Sequence, residues 1–371
     1  MTGMRIGLML GFRAPGLPEV PVAAQVDLAV AAEAAGVQIC FNSEAYGHDA
    51  VSILAAVAAR TTTMQIGSAA LQIPGRTAAM TAMTAAGLDA VADGRFVLGL
   101  GISGPQVSDG WHGVSFDAPL ARTRSYVAAV RMALARRPLD VHGVGIDVPA
   151  TPDRYPPMRL SARPSRPDLP ILLAALGDAN LRLAGEIADG WLGVWLSPEH
   201  LAAPLAQIAA GQAVRAAAIE SGTGGSAAAG SPARFDVVAL APAVLAQPGT
   251  DDDVATCADR VRGLAALYLG GMGTPQHNFY ADQAARLGFG DEAADVGALF
   301  REGRLREAAA AVPVDFLDQT CLLGDANHMR DRLELYAKAG VTTLAIAPVG
   351  GSRGEREAIL ATVSALARGQ S

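Results

Sequence analysis

The feature that most constrains this chain is a repeated alternation of a short apolar run with a longer helical stretch, sustained along most of its length. Residues 4–10, 37–41, 64–71 and 96–100 read as strands. Residues 20–35, 49–60, 78–91 and 120–136 read as the helices that follow them. Gly36 ends the first helix in the manner of a C-cap, and the turn ADGR at 92–95 separates a helix from the next strand. The rhythm resumes with strands at 171–174, 191–194, 235–240 and 342–347 and helices at 179–188, 198–220 and 354–367. Short strands separated by helices predict a parallel sheet, and near-continuous apolar strands suit a sheet buried on both faces. Eight such units favour an α/β fold closed as a single (β/α)₈ TIM barrel over an open doubly wound sheet.

All 371 residues are expected to form one domain, a length ordinary for such barrels. Three stretches interrupt the alternation. Residues 138–170 are rich in Pro and Gly and read as a surface insertion, with a small hairpin in VHGVGIDVP. Residues 221–234, SGTGGSAAAGSPAR, are of low complexity and read as a mobile surface loop. Residues 270–311 exceed what a crossover needs and read as a helical insertion near the barrel mouth, between strands seven and eight. Padding of the barrel's outside is the alternative for that insertion.

Several function classes lose support at once. The net charge is −7 with no basic run, so nucleic acid is not an expected partner. Three cysteines, Cys40, Cys257 and Cys321, form no CxxC pair, which argues against a disulfide framework and a structural zinc site. No stretch of about 18 uninterrupted apolar residues occurs, and the first residues lack a signal-peptide pattern. A cytoplasmic protein without a membrane partner is therefore expected. The six histidines show no HExxH spacing and there is no GxSxG elbow, so metal-dependent and serine hydrolase readings find no support.

In a (β/α)₈ barrel the chemistry sits at the C-terminal ends of the strands. FNSEAYGHDA after the second strand offers Glu44 and His48 for acid–base work, beside Tyr46 and Asp49. Asp49 reads equally well as the cap of the next helix, Glu44 as half of a structural ion pair, and His48 as a solvated side chain. LGLGISGPQVSDGWHG after the fourth strand has glycines that permit close backbone approach to a ligand, while Trp111 and His112 add a stacking surface and a polar group. It is not a GxGxxG fingerprint, and a flexible loop is the bland alternative. At residues 177–180 a strand meets a helix N-terminus whose free amides suit a phosphate. An ordinary turn capped by Asp178 is the alternative, and the Asp178 carboxylate competes with an anion for those amides.

Taken in order, SEAYGHDA at 43–50, IGSAALQIPGRTAAMTAMTAAGLDAVADGRFVLGLG at 66–101, SGPQVSDGWHG at 103–113, PLARTRSYV at 119–127, RPDLPILLAALGDANLRLAGEIADGW at 166–191, GGMGTPQHNFY at 270–280 and AGVTTLAIAP at 339–348 span most of the chain. Together they resemble the luciferase-like monooxygenase superfamily, and most closely its coenzyme F420-dependent oxidoreductases. The resemblance implies a deazaflavin at the barrel mouth and hydride transfer to or from its C5, with a small-molecule substrate. It implies a non-prolyl cis peptide at Ala69–Ala70 backing the ring, and a loop at Gly101, Ser103, Gly104 and Val107 lining it. It implies that Ala175, Leu176, Gly177 and Asn180 receive the phosphate of the cofactor tail, with Arg122 or Arg124 adding positive charge. Trp111, His112, Asn278, Phe279 and Tyr280 are expected to shape the substrate pocket, with Phe279 and Tyr280 packing the insertion's own core as the alternative. A homodimer is the expected assembly.

Two departures stand out. Family members that use a histidine after the second strand place it next to an acidic residue, and here Ala45 follows Glu44. Close relatives carry Pro-Lys after the glycine of the phosphate turn, and here Asp178–Ala179 stands there, with Arg182 as the compensating charge. An FMN-dependent monooxygenase of the same superfamily is the second reading. A degenerate barrel that binds a ligand without catalysis is the third.

Overall fold

The computed structural model describes residues 3–11, 19–222, 234–247, 249, 252–274 and 277–369. The loop read as mobile at 221–234 lies almost wholly outside the described residues. Eight strands carry the fold among them: β1 (Arg5–Leu10), β2 (Ile39–Asn42), β3 (Gln65–Ser68), β4 (Phe96–Gly101), β5 (Ile171–Ala174), β6 (Gly190–Val194), β7 (Asp236–Leu245) and β8 (Thr343–Pro348). Their hydrogen-bonded order is β8–β1–β2–β3–β4–β5–β6, and β7 pairs with both β6 and β8, so the order returns on itself. This is a closed parallel eight-stranded barrel with surrounding helices, as the alternation predicts. The strands read from the apolar runs are all present, with ends shifted by a few residues. Two short strands add to the ring: Leu71–Gln72 beside β4 and Leu322–Gly324 beside β7.

The chain gathers into two compact units, Asn42–Leu192 with Pro204–Asp236, and Met1–Phe41 with Gly193–Ala203 and Val237–Ser371. In the first unit, β3, β4, β5 and β6 run parallel in register, with Gly67 opposite Val97, Gly99 opposite Leu172 and Leu173 opposite Trp191. Helices Ala50–Arg60 and Ala78–Val91 start on the side chains of Asp49 and Thr77, which accept from Ser52 N and Met80 N. Buried charge is paired. Asp189, 3% exposed, accepts from Arg131 Nη2 at 2.8 Å and from Ile171 N at 3.0 Å, which ties β5 to the start of β6. Residues 141–148 form the antiparallel hairpin expected there, Val141–Gly143 against Ile146–Val148.

In the second unit β1 and β7 flank β8, with Gly7 opposite Ala345 and Leu240 also opposite Ala345. The insertion between β7 and β8 is helical: Phe279–Arg286, Gly290–Arg301, Leu305–Ala311 and Val314–Thr320 follow one another. Its core holds Val244, Val261, Leu264, Leu269, Val296, Phe316 and Leu317, filled in by alanines. Alanine brings helices close but buries little area per residue, so this core is built from many thin contacts. The helix Val254–Ala266 runs into a π-helical turn at Leu267–Gly271.

Candidate functional site

The C-terminal ends of β2, β3, β4 and β5 converge within the first unit, and most of the residues expected to bind a cofactor stand there. Asn42, the last residue of β2, accepts on its carbonyl from Ala69 N at 2.9 Å. The next peptide, Ala69–Ala70, is cis, at the position the family resemblance gives. Gly99 lies opposite Leu172, and a Cβ on it would fall 1.9 Å from Ser68 O, so only glycine allows β4 to lie this close to β3. Two residues on, a Cβ at Gly101 would meet only the methyls of Ala70 and Ala174, each at 3.5 Å. Three neighbouring strands thus end on hydrogen and methyl groups. Such a surface suits the face of a planar ring.

Beside this platform runs a polar chain. His112 donates Nε2–H to Gln72 Oε1 at 2.5 Å, and Gln72 Nε2 reaches Ser103 Oγ at 3.5 Å. Ser103 holds a left-handed backbone, φ +60, as the loop leaves β4. Gly104 then begins the short helix Pro105–Ser108, and Val107 packs inward. Ser108 Oγ and N–H⋯O bonds to Val114 close the loop on itself. Thus the loop 102–114 is closed by its own hydrogen bonds. Trp111 projects from it, 65% exposed.

Glu44 is engaged in structure. Its carboxylate forms an ion pair with Arg76, whose Nη2 donates to Oε1 at 2.8 Å, and it accepts from Ala50 N at 3.1 Å. The bond to Glu44 holds the Arg76 guanidinium above its ordinary range against the opposing effect of burial. The Arg76 carbonyl accepts from Tyr126 Oη at 3.0 Å, and burial pushes that phenol up to about 12. His48 is exposed in the turn before helix Ala50–Arg60, and Asp49 caps that helix.

At the end of β5 the turn Ala175–Asn180 is held by Trp191, which donates Nε1–H to Ala175 O at 2.8 Å. Helix Asp178–Ile187 has Gly177 as its N-cap with no side chain bonded to its first amides, and Asp178 lies in the first turn rather than at the cap. The reason is geometric: Gly177 has the extended backbone of a cap, φ −84 and ψ 152, and Asp178 is already helical. The first-turn amides are open to an anion, against the charge of Asp178. Arg182 does not turn back to compensate; it donates to Gln207 at 2.9 Å. Arg124 pairs with Glu186 and Arg122 donates to Ser115 O, so neither is committed to the turn.

Asn278, Phe279 and Tyr280 belong to the second unit. Asn278 caps helix Phe279–Arg286, its Oδ1 accepting from Tyr280 N and Ala281 N, while Nδ2 donates to Tyr268 O and Leu269 O of the π-turn. Tyr280 packs edge-on against Tyr268, ring centroids 4.7 Å apart. Sequence reasoning passed over Gln72, Arg76, Trp191 and Asn42. A glutamine inside an apolar strand end and an arginine after Pro-Gly are the signals that mark the first two.

The residues fit a flavin-like group on two observations. The platform at Ala70, Gly101 and Ala174 presents only methyl and hydrogen groups. Asn42, 1% exposed beside the cis bond, has both side-chain amide atoms without a hydrogen-bond partner among the described residues. A buried orphan amide calls for a polar atom from outside the chain. No group of His, Cys, Asp and Glu suited to a metal occurs among the described residues, and no helix there is long and apolar enough to cross a membrane.

Comparison with known proteins places the chain among relatives. The chain is 36% identical over 350 residues to a Mycobacterium tuberculosis protein provisionally named a coenzyme F420-dependent oxidoreductase, covering 93% of this chain and 95% of that one. Its fold matches the F420-dependent tetrahydromethanopterin reductase of Methanopyrus kandleri with a TM-score of 0.76 at 21% identity, over 98% and 97% of the two chains. It also matches the oxygenating constituent of 3,6-diketocamphane monooxygenase from Pseudomonas putida, solved with FMN, with a TM-score of 0.64 at 16% identity over 98% and 97%. The model of the luciferase-like monooxygenase family matches residues 4–343, and this chain belongs to that family.

Proposed function

We propose that this protein is an oxidoreductase that transfers a hydride between coenzyme F420 and a small organic substrate. The observation that carries the reading is the methyl-and-hydrogen platform at Ala70, Gly101 and Ala174 beside the orphan amide of Asn42. The name of the 36% identical relative supports F420 over FMN. When bound, the deazaflavin supplies the hydride chemistry. The chain supplies position and electrostatics. Ala70, Gly101 and Ala174 seat the ring, and Ser103 and Val107 border it. The amides of residues 178–180 hold the phosphate at a helix N-terminus. His112, oriented through Nε2 by Gln72, is the side chain best placed in this unit to pass a proton.

Titration of the purified protein with F420 tests the reading. Saturable quenching of cofactor fluorescence is expected, with no comparable binding of FMN. Retention of FMN, with oxygen uptake coupled to substrate turnover, would establish the monooxygenase reading instead. Mass spectrometry of the cofactor that co-purifies from a host able to make F420 decides between them.

A further inference from the structure

Five residues other than glycine hold a left-handed backbone among the described residues, and two of them stand at the ends of one segment. Ser103, φ +60, begins the loop that leaves β4. Ala118, φ +44 and ψ 51, ends it as the N-cap of helix Pro119–Leu134. That conformation is costly for an L-residue and persists only where its surroundings hold it. Hinges of moving segments are a few loop residues that can absorb a large change of φ and ψ.

Between these ends the segment is bonded mainly to itself. Ser108 N donates to Gly104 O, Trp111 N and His112 N to Val107 O, Gly113 N to Asp109 O, and Val114 N to Ser108 O. Among the described residues, two hydrogen bonds tie residues 104–117 to the rest of their unit. One lies close to Ala118, where Arg122 Nη1 donates to Ser115 O at 2.5 Å. It is braced from behind: a Cβ on Gly145 of the surface hairpin would fall 2.4 Å from Arg122 Nε. The other is the single contact of His112 Nε2 with Gln72 Oε1 at 2.5 Å, and Gln72 Nε2 also reaches Oγ of the hinge residue Ser103 at 3.5 Å. Val107 and Ser108 form a buried underside, and Trp111 stands outside. A body bonded to itself, anchored firmly near one hinge and by one side chain elsewhere, can turn without losing its own structure.

We propose that residues 103–118 are a lid at the ring platform, turning as one body about Ser103 and Ala118, and that the state described is the closed one, latched by His112 on Gln72. Opening breaks the latch and keeps the Arg122–Ser115 bond beside the pivot. Ser103 and Val107, which border the platform, move with the lid. The left-handed cost at residue 118 falls on the closed state, so that residue sets the balance. Glycine there removes the cost and favours closure; a β-branched residue raises it and favours opening. That F420 enters beneath the lid rests on the cofactor reading; the hinged motion does not.

The test measures F420 association and dissociation by stopped-flow fluorescence in the full-length parent, Ala118→Gly and Ala118→Val. A gate that is closed both before and after binding changes entry and exit alike. Ala118→Gly is expected to lower both rate constants by about fivefold and to leave Kd unchanged, and Ala118→Val to raise both. Ala118→Gly decides alone where Ala118→Val does not fold. Relaxation dispersion on the ¹⁵N-labelled chain needs no cofactor. The amides of residues 104–117 are expected to share one exchange rate on the microsecond-to-millisecond scale, with a minor population about fivefold smaller in Ala118→Gly, while those of β4 stay flat. Dispersion that responds to residue 118 in protein that does not bind F420 keeps the lid and refutes the cofactor reading. F420 binding at rates that ignore residue 118, or a change in Kd carried by one rate constant alone, overturns the lid and keeps the cofactor reading. Absence of both responses overturns the proposal as well.

Discussion

Arg76 grips the Glu44 carboxylate with both guanidinium nitrogens, and the pair is mostly buried, 18% and 10% exposed. Glu44 also accepts from Ala50 N at the start of a helix, so one carboxylate fastens the β2 exit to two elements. A carboxylate so committed is poorly placed to shuttle protons. Glu44→Ala is expected to lower unfolding free energy by about 3 kcal/mol, because it leaves a largely buried guanidinium unpaired. Glu44→Gln, which keeps the shape and an acceptor, is expected to cost less and to leave the limbs of the pH–rate profile where they are. Urea titration measures the first effect, and a displaced limb in Glu44→Gln would make this residue the acid or base after all.

Gly99 and Gly101 make a controlled contrast. Both are on β4, two residues apart. A Cβ at Gly99 lands on Ser68 O at 1.9 Å, whereas at Gly101 it finds ordinary contact. Gly99→Ala is expected to disrupt folding, since backbone rather than a flexible side chain must move. Gly101→Leu is expected to fold, with a thermal midpoint near that of the parent, and to lose at least about tenfold in F420 affinity as the branched side chain occupies the ring platform. Equal F420 affinity in Gly101→Leu would remove the ring from this position.

Much of this was legible in the sequence, for identifiable reasons. Apolar runs such as VLGLG in β4 and TLAIA in β8 mark a sheet buried on both faces, and their number marks a closed barrel. Asp49 announced itself as a cap because it precedes an apolar-periodic stretch. Residues whose roles depend on a distant partner were not legible. Glu44 finds Arg76 thirty-two residues away, and Gln72 finds His112 forty residues away. Nothing in local spacing encodes those meetings. The hydrogen-bonding capacity of Asn278 is spent on a helix start and a π-turn, and neither was visible before the turn itself was.

The same commitment of Asn278 predicts its mutant phenotype. Its side chain satisfies two amides of one helix start and two carbonyls of the π-turn. Asn278→Ala is expected to cost about 2 kcal/mol, the upper range for a lost N-cap with carbonyls left behind. Asn278→Asp, which keeps the acceptor alone, should recover only part of this. Chemical denaturation of the three proteins orders them, and an unchanged midpoint in Asn278→Ala would show that solvent replaces the cap.

The phosphate turn carries a negative charge where an anion is expected. Asp178 occupies the first turn of helix Asp178–Ile187, and Arg182 is turned away to Gln207. Asp178→Asn removes the competing charge and leaves the amides in place. F420 is expected to bind about three- to fivefold more tightly, the order of one charge at a helix terminus, and the gain should shrink as salt rises. Fluorescence titration at two ionic strengths checks both parts. Weaker binding in the variant would mean that Asp178 helps hold the tail.

Acid stability offers an independent check on the second unit. Burial alone would raise the Glu199 carboxyl, but hydrogen bonds from Arg332 and Ser197 outweigh it and hold the group below its ordinary range. Ser197 Oγ donates to Oε2 at 2.7 Å, and Arg332 also bonds Gln319 O at 2.6 Å, so the pair ties the β6 exit to helix Ala326–Lys338. The sign follows from linkage. A depressed carboxyl binds fewer protons folded than unfolded, so its stabilisation is full above the unfolded value, about 4.3, and fades as pH falls through the folded one. Glu199→Gln should therefore be less stable than the parent at neutral pH and approach it as pH drops below about 4. Urea midpoints of both proteins across that range decide it. A gap between them that does not change with pH would mean that the pair contributes shape and packing rather than charge.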